Sequence, residues 1–211
     1  IPLAGSGGVV FPADINNDGK FEFLVLQSAG LFHAAIHGGK GNVGWDHFCL
    51  TAMDSHGNVL WRVGEPWDRT EPFVTHGGER SLCVFDLDGD GVPEVYVIRG
   101  NEVIGLRAAD GKPLSAFELP YDNFVVVLPA RVGTAPGDRR LLASSSNDSY
   151  DGHSHGGPTL IFDANGTIMF NRDIFGFGHD PRALDVDGDG FDEWLVGYEL
   201  LDHDAKPIWK F

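Results

Sequence analysis

A short acidic phrase occurs three times in this chain, and each copy leads directly into a strand-like apolar segment. The copies span residues 14–22, 86–94 and 185–193, and they read DINNDGKFE, DLDGDGVPE and DVDGDGFDE. Oxygen-bearing side chains stand at positions 1, 3, 5 and 9, and a glycine stands at position 6. Carboxylates packed this closely repel one another unless a cation lies between them, and Ca²⁺ prefers such oxygen ligands. The pattern therefore predicts three calcium loops, which we call loop 1, loop 2 and loop 4.

The predicted ligands are the side chains at positions 1, 3, 5 and 9 and the backbone carbonyl at position 7. They are Asp14, Asn16, Asp18, Lys20 and Glu22 in loop 1, Asp86, Asp88, Asp90, Val92 and Glu94 in loop 2, and Asp185, Asp187, Asp189, Phe191 and Glu193 in loop 4. The first half resembles an EF-hand loop, but the last acid falls at position 9 and a β-type run follows. We expect about three structural ions. The alternative is an acidic turn without metal, most of all in loop 1, where Asn16 replaces an acid.

A second phrase, an Asp-containing turn followed by an apolar-aromatic strand, occurs four times. It begins at Asp54, Asp110, Asp163 and Asp202. The copy without an acidic loop is preceded by residues 129–138, which begin Pro-Ala like residues 12–13 but lack the ligands. The repeats therefore begin at residues 14, 86, 131 and 185. Trp61, Phe170 and Trp209 share one repeat position, and we expect them to pack in the core.

Repeats of this length, with several strands each, are typical of β-propeller blades. We predict an all-β propeller with blades at about 9–66, 76–120, 123–174 and 176–211, in which residues 1–211 form one domain or part of one. The motif D-x-[DN]-x-D-G-x-x-E before an apolar strand is similar to the FG-GAP/VCBS repeat family, whose blades form calcium-stabilised propellers. Such propellers usually have seven blades. The resemblance therefore implies either part of a larger propeller or a small four-bladed one.

Residues 178–180 (GHD) and 197–204 (GYELLDHD) resemble propeller-type polysaccharide lyases, namely rhamnogalacturonan lyases and ulvan lyases. This resemblance implies β-elimination on a uronic-acid polysaccharide. The reaction needs a cation that neutralises the sugar carboxylate, a base for the C5 proton and an acid for the leaving oxygen. The candidates are Arg80 or Arg182 for the first role, His76, His153 or His179 for the second, and Tyr150 or Tyr121 for the third.

Each candidate also has a simpler interpretation. His76 and His179 fit hydrogen bonds to loop carbonyls, and Arg80 fits a surface ion pair with Glu79. His153 and His155 would suit Zn²⁺ if a third ligand lay in reach, but a solvated loop is the favoured interpretation. The alternative function is a non-catalytic propeller that binds glycans or proteins. The expected partners are an acidic polysaccharide or other glycan and, for a fragment, further blades or domains of a longer chain.

The charge and the apolar pattern exclude some classes of partner. Fifteen basic against 31 acidic residues give a net charge of −16, which disfavours nucleic acid and anionic membranes. No apolar run has the length of a membrane span. Loops that need millimolar Ca²⁺ favour a secreted or periplasmic protein, and the lack of an initiator Met predicts a mature form or a fragment. Cys49 and Cys83 form either a disulfide or two buried free thiols, and we favour the thiols.

Overall fold

Strands and turns make up the parts of the chain that the computed structural model describes, which are residues 9–28, 48–66, 81–120, 124–145, 157–174 and 181–211. In chain order the strands are β1 Val9–Ala13, β2 Glu22–Ser28, β3 Phe48–Met53, β4 Val59–Gly64, β5 Leu82–Phe85, β6 Glu94–Arg99, β7 Glu102–Arg107, β8 Pro113–Glu118, β9 Phe124–Arg131, β10 Arg139–Ser145, β11 Gly157–Phe162, β12 Ile168–Ile174, β13 Arg182–Leu184, β14 Glu193–Val196, β15 Glu199–Leu201 and β16 Pro207–Lys210. Within the described ranges, no helix is long and apolar enough to cross a membrane.

These strands form four antiparallel sheets of four strands each. Each sheet takes four consecutive strands in chain order, from β1–β4 to β13–β16, and we call the sheets blades 1 to 4. Such meanders are the units of a propeller. The predicted all-β propeller architecture is confirmed.

The position of a strand within its blade determines its pattern of burial. The six residues of β3 are all buried, as are five of the six residues of β6. Both faces of these strands are buried, which explains why they are mostly apolar instead of alternating between apolar and polar residues. The fourth strands β4, β8 and β16 are mostly exposed. The middle strands therefore hold the core, and the fourth strands form the outer edge.

Three apolar clusters join the blades in sequence. The first packs Leu24 and Leu50 of blade 1 against Val95 and Leu106 of blade 2. The second joins blades 2 and 3, and the third joins blades 3 and 4 around the fully buried Trp194. Position 2 of loops 1 and 2 contributes to this core, since Ile15 and Leu87 are buried, whereas Val186 of loop 4 is exposed. Loop folding and blade packing are thus physically linked.

The recurring outer aromatics have unequal surroundings. Trp61 is 8% exposed, and its indole N–H donates to the Ala108 carbonyl of blade 2 at 2.8 Å. It lies on Gly111, whose φ is +70°, and a Cβ there would be 2.7 Å from the indole ring. Phe170 is partly buried against the third cluster. Trp209 is 39% exposed, contacts Phe211 edge-on and belongs to none of the three apolar clusters. The expectation of core packing is therefore wrong for Trp209.

Both cysteines are free thiols, as the sequence favoured. Cys49 is buried, whereas Cys83 is only partly buried. Burial raises the pKa of both thiols. The thiolate is the reactive form of cysteine, so these residues act as packing groups.

A buried carboxylate joins blades 3 and 4. The Glu199 side chain in β15 is 1% exposed, and its Oε2 accepts a hydrogen bond from Arg172 of β12. Lys210 Nζ of β16 lies 2.8 Å from Oε1. Burial alone would raise the pKa of Glu199, but the paired charges of Lys210 and Arg172 outweigh it and hold that pKa below its usual value. Glu199 therefore stays ionised and paired at neutral pH.

Replacing Glu199 by glutamine is expected to lower the free energy of unfolding by about 2 kcal/mol at pH 7. The cost stays below that of a fully buried pair because Arg172 and Lys210 are 37% and 57% exposed and can rehydrate. The native pKa is depressed, so the stabilisation is present above the ordinary glutamate pKa and is lost as pH falls through the native pKa. Urea unfolding at several pH values tests this. Glu118→Gln, on the exposed side of β8, is the control, and a difference that persists at strongly acidic pH would contradict the prediction.

Candidate metal sites and the opposite rim

The three acidic loops share one backbone arrangement. In each loop the amide of position 2 donates to the buried glutamate at position 9, at 3.2 Å in loop 1 and 2.8 Å in loops 2 and 4. The glycine amide at position 6 donates to the first aspartate, at 2.8, 3.1 and 3.0 Å. That glycine has φ between +81° and +92°, which explains why the position is always glycine. The loops therefore fold around their own carboxylates.

Loop 2 has the most complete set of donors. Asp86, Asp88, Asp90 and Glu94 each place one carboxylate oxygen within 4.8 Å of the others. Burial raises the pKa of Glu94 to about 7, and the charges of the three aspartates add to this. Four such groups do not all ionise easily at neutral pH unless a cation balances them. Hard oxygen donors in this arrangement fit a divalent cation such as Ca²⁺.

Loop 4 brings together one ligand fewer than predicted. Asp185, Asp187 and Glu193 group within 4.8 Å, and Asp189 lies outside the group. The Oδ1 atom of Asp189 accepts the Phe191 amide at 2.8 Å, just as Asp90 Oδ1 accepts the Val92 amide in loop 2, so this hydrogen bond does not account for the difference. The donor set of loop 4 also fits a divalent cation.

Loop 1 has the turn but not the gathered carboxylates. Among the described residues, Asp14, Asp18 and Glu22 form no group as close as those of loops 2 and 4. Lys20 Nζ lies 3.7 Å from Asp18 Oδ2, with both side chains largely exposed. The Asn16 amide oxygen accepts the Asp18 N–H at 2.9 Å. Loop 1 is thus the poorest fit to a metal, as the asparagine in its sequence predicts.

In the third repeat, a turn flanked by two arginines stands in place of the acidic loop. In blades 1, 2 and 4, the residue pair next to the acidic loop joins the last residue of the first strand to the first residue of the second strand. That first residue of the second strand is the position-9 glutamate. In blade 3 the corresponding pair is Arg131 with Arg139. Arg139 therefore stands at the glutamate position, and Arg131 ends β9 rather than starting the loop. The predicted repeat start at Arg131 is one residue too early.

The acidic loops lie at one edge of the blades, and the described catalytic candidate, Arg182, lies at the other. Each loop joins the first strand of its blade to the second, so in an antiparallel meander the second-to-third and blade-to-blade connections leave from the opposite edge. We call this opposite edge the open rim. Arg182, the first residue of β13, is partly buried at this edge. The remaining candidates lie outside the described residues, and they are His76, Arg80, Tyr121, Tyr150, His153, His155 and His179.

The comparisons with known proteins bear on the fold. No family model and no curated protein matches the chain. The structure is similar to rhamnogalacturonan lyase YesW, with a TM-score of 0.64 and 17% identity over 99% of this chain and 45% of that one. It is similar to the exotype rhamnogalacturonan lyase YesX, with a TM-score of 0.62 and 17% identity over 100% of this chain and 44% of that one. It is also similar to the Bacillus licheniformis rhamnogalacturonan lyase PL11, with a TM-score of 0.63 and 15% identity over 98% of this chain and 42% of that one.

These likenesses show the propeller fold. The chain spans less than half the length of each of these three structures. The resemblance to FG-GAP/VCBS repeats stays a prediction, since no family model matches.

Proposed function

We propose that this propeller belongs to a polysaccharide lyase that cleaves uronic-acid-containing polysaccharide by β-elimination. The observation that carries the proposal is the likeness to three rhamnogalacturonan lyases over at least 98% of the chain. The position of the candidate residues in the sequence supports it. His76 and Arg80, Tyr150 and His153, and His179 come from connections whose anchoring strands end at the open rim.

The proposed reaction takes place at that rim. A base, His76, His153 or His179, removes the C5 proton of the uronate, and the C4–O bond breaks as a C4–C5 double bond forms. Tyr150 or Tyr121 gives its proton to the departing oxygen. Arg182 or Arg80 balances the negative charge that builds up on the carboxylate as the C5 proton leaves, which is the largest electrostatic demand of the step.

The acidic loops have a structural task in this proposal. A strand rises about 3.3 Å per residue, so strands of this length separate the loops from the open rim by roughly 15 Å. A Ca²⁺ ion in loop 2 or loop 4 neutralises carboxylates that hold the strand entrances. Calcium loops that need millimolar Ca²⁺ would be filled outside the cytosol. We therefore propose that the protein is secreted or periplasmic.

The lyase proposal predicts an ultraviolet-absorbing product. The 211-residue chain is incubated with rhamnogalacturonan, polygalacturonate, ulvan and alginate, and absorbance of the unsaturated sugar is followed. Arg182→Ala is expected to lower kcat/KM by about 10²- to 10³-fold, the loss found when one charge-stabilising donor is removed. Arg107→Ala is the matched control, because Arg107 is exposed and pairs with Asp110 at the edge of the acidic loops.

Two outcomes would count against this assignment. Product from a substrate with unchanged rates in Arg182→Ala would remove Arg182 from the site. If the chain gives no product from any of the polysaccharides but binds one of them in affinity electrophoresis, the alternative of a non-catalytic propeller that binds glycans would be favoured.

A further inference from the structure

An arginine from blade 3 pairs with one of the carboxylates of loop 2. Arg139 Nη2 lies 3.4 Å from Asp86 Oδ2, and both side chains are mostly buried, at 20% and 22% exposed. We propose that Arg139 is a built-in counter-ion that weakens the affinity of loop 2 for its divalent cation and stabilises that loop without the ion. The inference rests on the calcium binding proposed above.

Packing holds the guanidinium in this place. Its Cζ lies 6.0 Å from the centroid of the Phe85 ring. Loop 2 approaches through Gly89, where a Cβ would lie 2.2 Å from Arg139 Nη1 and 2.4 Å from Pro136 Cβ. Nη1 is buried without a hydrogen-bond partner. A side chain enclosed in this way is fixed by its neighbours, so its charge is a constant part of the loop 2 environment.

The register of the strands shows which position Arg139 has in its blade. It occupies the place where the metal loops have Glu22, Glu94 and Glu193. A glutamate there turns inward to its own loop, whereas Arg139 reaches across to Asp86 of the neighbouring blade. The repeat that lost its own metal ligands thus places a positive charge beside the ligands of another repeat.

Loop 4 provides an internal comparison. In the part of the chain that the structure describes, no lysine or arginine pairs with Asp185, Asp187 or Glu193. Loops 2 and 4 have the same residue types at positions 1, 3, 5 and 9. A guanidinium repels a nearby divalent ion, and a unit charge roughly 5 Å from such an ion lowers its affinity by roughly ten- to a hundred-fold. Loop 4 lacks this repulsion, although it gathers one carboxylate fewer than loop 2.

Calcium titration by isothermal calorimetry tests the inference. In a chain with loop 4 disabled by Asp187→Ala, Arg139→Gln is expected to tighten the loop 2 dissociation constant at least ~10-fold. The same variant should melt at a lower temperature in EGTA, because the carboxylates lose their only fixed counter-charge among the described contacts. Arg140→Gln is the control, since Arg140 Nη1 donates to the Gly137 and Arg139 carbonyls and not to a carboxylate.

Further variants separate charge from shape. Arg139→Lys keeps the charge and is expected to retain the weak affinity of the wild type. If Arg139→Gln does not fold, Arg139→Met keeps an apolar stem over Phe85 and removes the charge. Unchanged or weaker binding in the uncharged variants would overturn the proposal and make Arg139 a residue that positions Asp86. Absence of any calcium-binding heat in the wild type would instead refute the proposed calcium sites themselves.

Discussion

Removing calcium with EGTA is expected to lower the melting temperature of this protein by about 10–20 °C. The expectation rests on loops 2 and 4, whose carboxylates gather within 4.8 Å. An ion present at a hundred times its dissociation constant adds about 2.7 kcal/mol for each site. One kcal/mol corresponds to roughly 2–4 °C for a domain of this size. Scanning calorimetry in millimolar CaCl₂ and in EGTA gives the difference directly.

Variants assign that difference to the loops. Asp187→Ala should remove about half of the calcium response, because it takes one ligand from loop 4. Asp204→Ala should leave the response intact, since Asp204 is exposed in an outer turn and pairs with Lys206. Magnesium should replace calcium poorly because it demands a smaller octahedral site. Equal melting temperatures in calcium and EGTA would contradict a metal role for these loops.

Trp61→Ala is expected to lower the free energy of unfolding by about 3–5 kcal/mol. The indole fills the junction of blades 1 and 2, where it lies on Gly111 and donates to the buried Ala108. Truncation leaves a void at that junction and a buried carbonyl without its partner. Urea unfolding followed by circular dichroism measures the loss.

Trp209→Ala is the matched control for this substitution. Trp209 has the same repeat position, but it is 39% exposed and outside the three apolar clusters. Its replacement is expected to cost at most about 1 kcal/mol. Similar losses in the two variants would show that the Trp61 junction contributes no special stability.

The sequence predicts the blades because their determinants are local. A nine-residue turn that requires glycine at position 6 and carboxylates at fixed spacing leaves little freedom in the chain, and the hydrogen bonds of loops 1, 2 and 4 follow from it. Along the chain, the acidic loops alternate with the Asp-containing turns, and this alternation divides the chain into four-stranded units. The same reasoning identified Asn16 as the weak point of loop 1.

Features that depend on distant residues were not predictable in this way. The shared Pro-Ala pair suggested that Arg131 begins the third loop, whereas strand pairing makes it the last residue of β9. Alignment on the start of the second strand would have placed Arg139 opposite Glu94, but its contact with Asp86 depends on how two blades pack. Exposure of Trp209 likewise depends on what lies beside blade 4. All the catalytic candidates stay predictions, since Arg182 is located without its role being tested and the others lie outside the described residues.

The placement of the acidic loops and the open rim at opposite ends of the strands divides the molecule into two independently variable surfaces. Substitutions in the acidic loops need not disturb the open rim, because several residues of paired strand lie between the two ends. Blade 3 illustrates the freedom this allows, having lost its ligands without losing its sheet. Repeats of this kind can therefore accumulate changes in their acidic loops and in their open-rim connections separately.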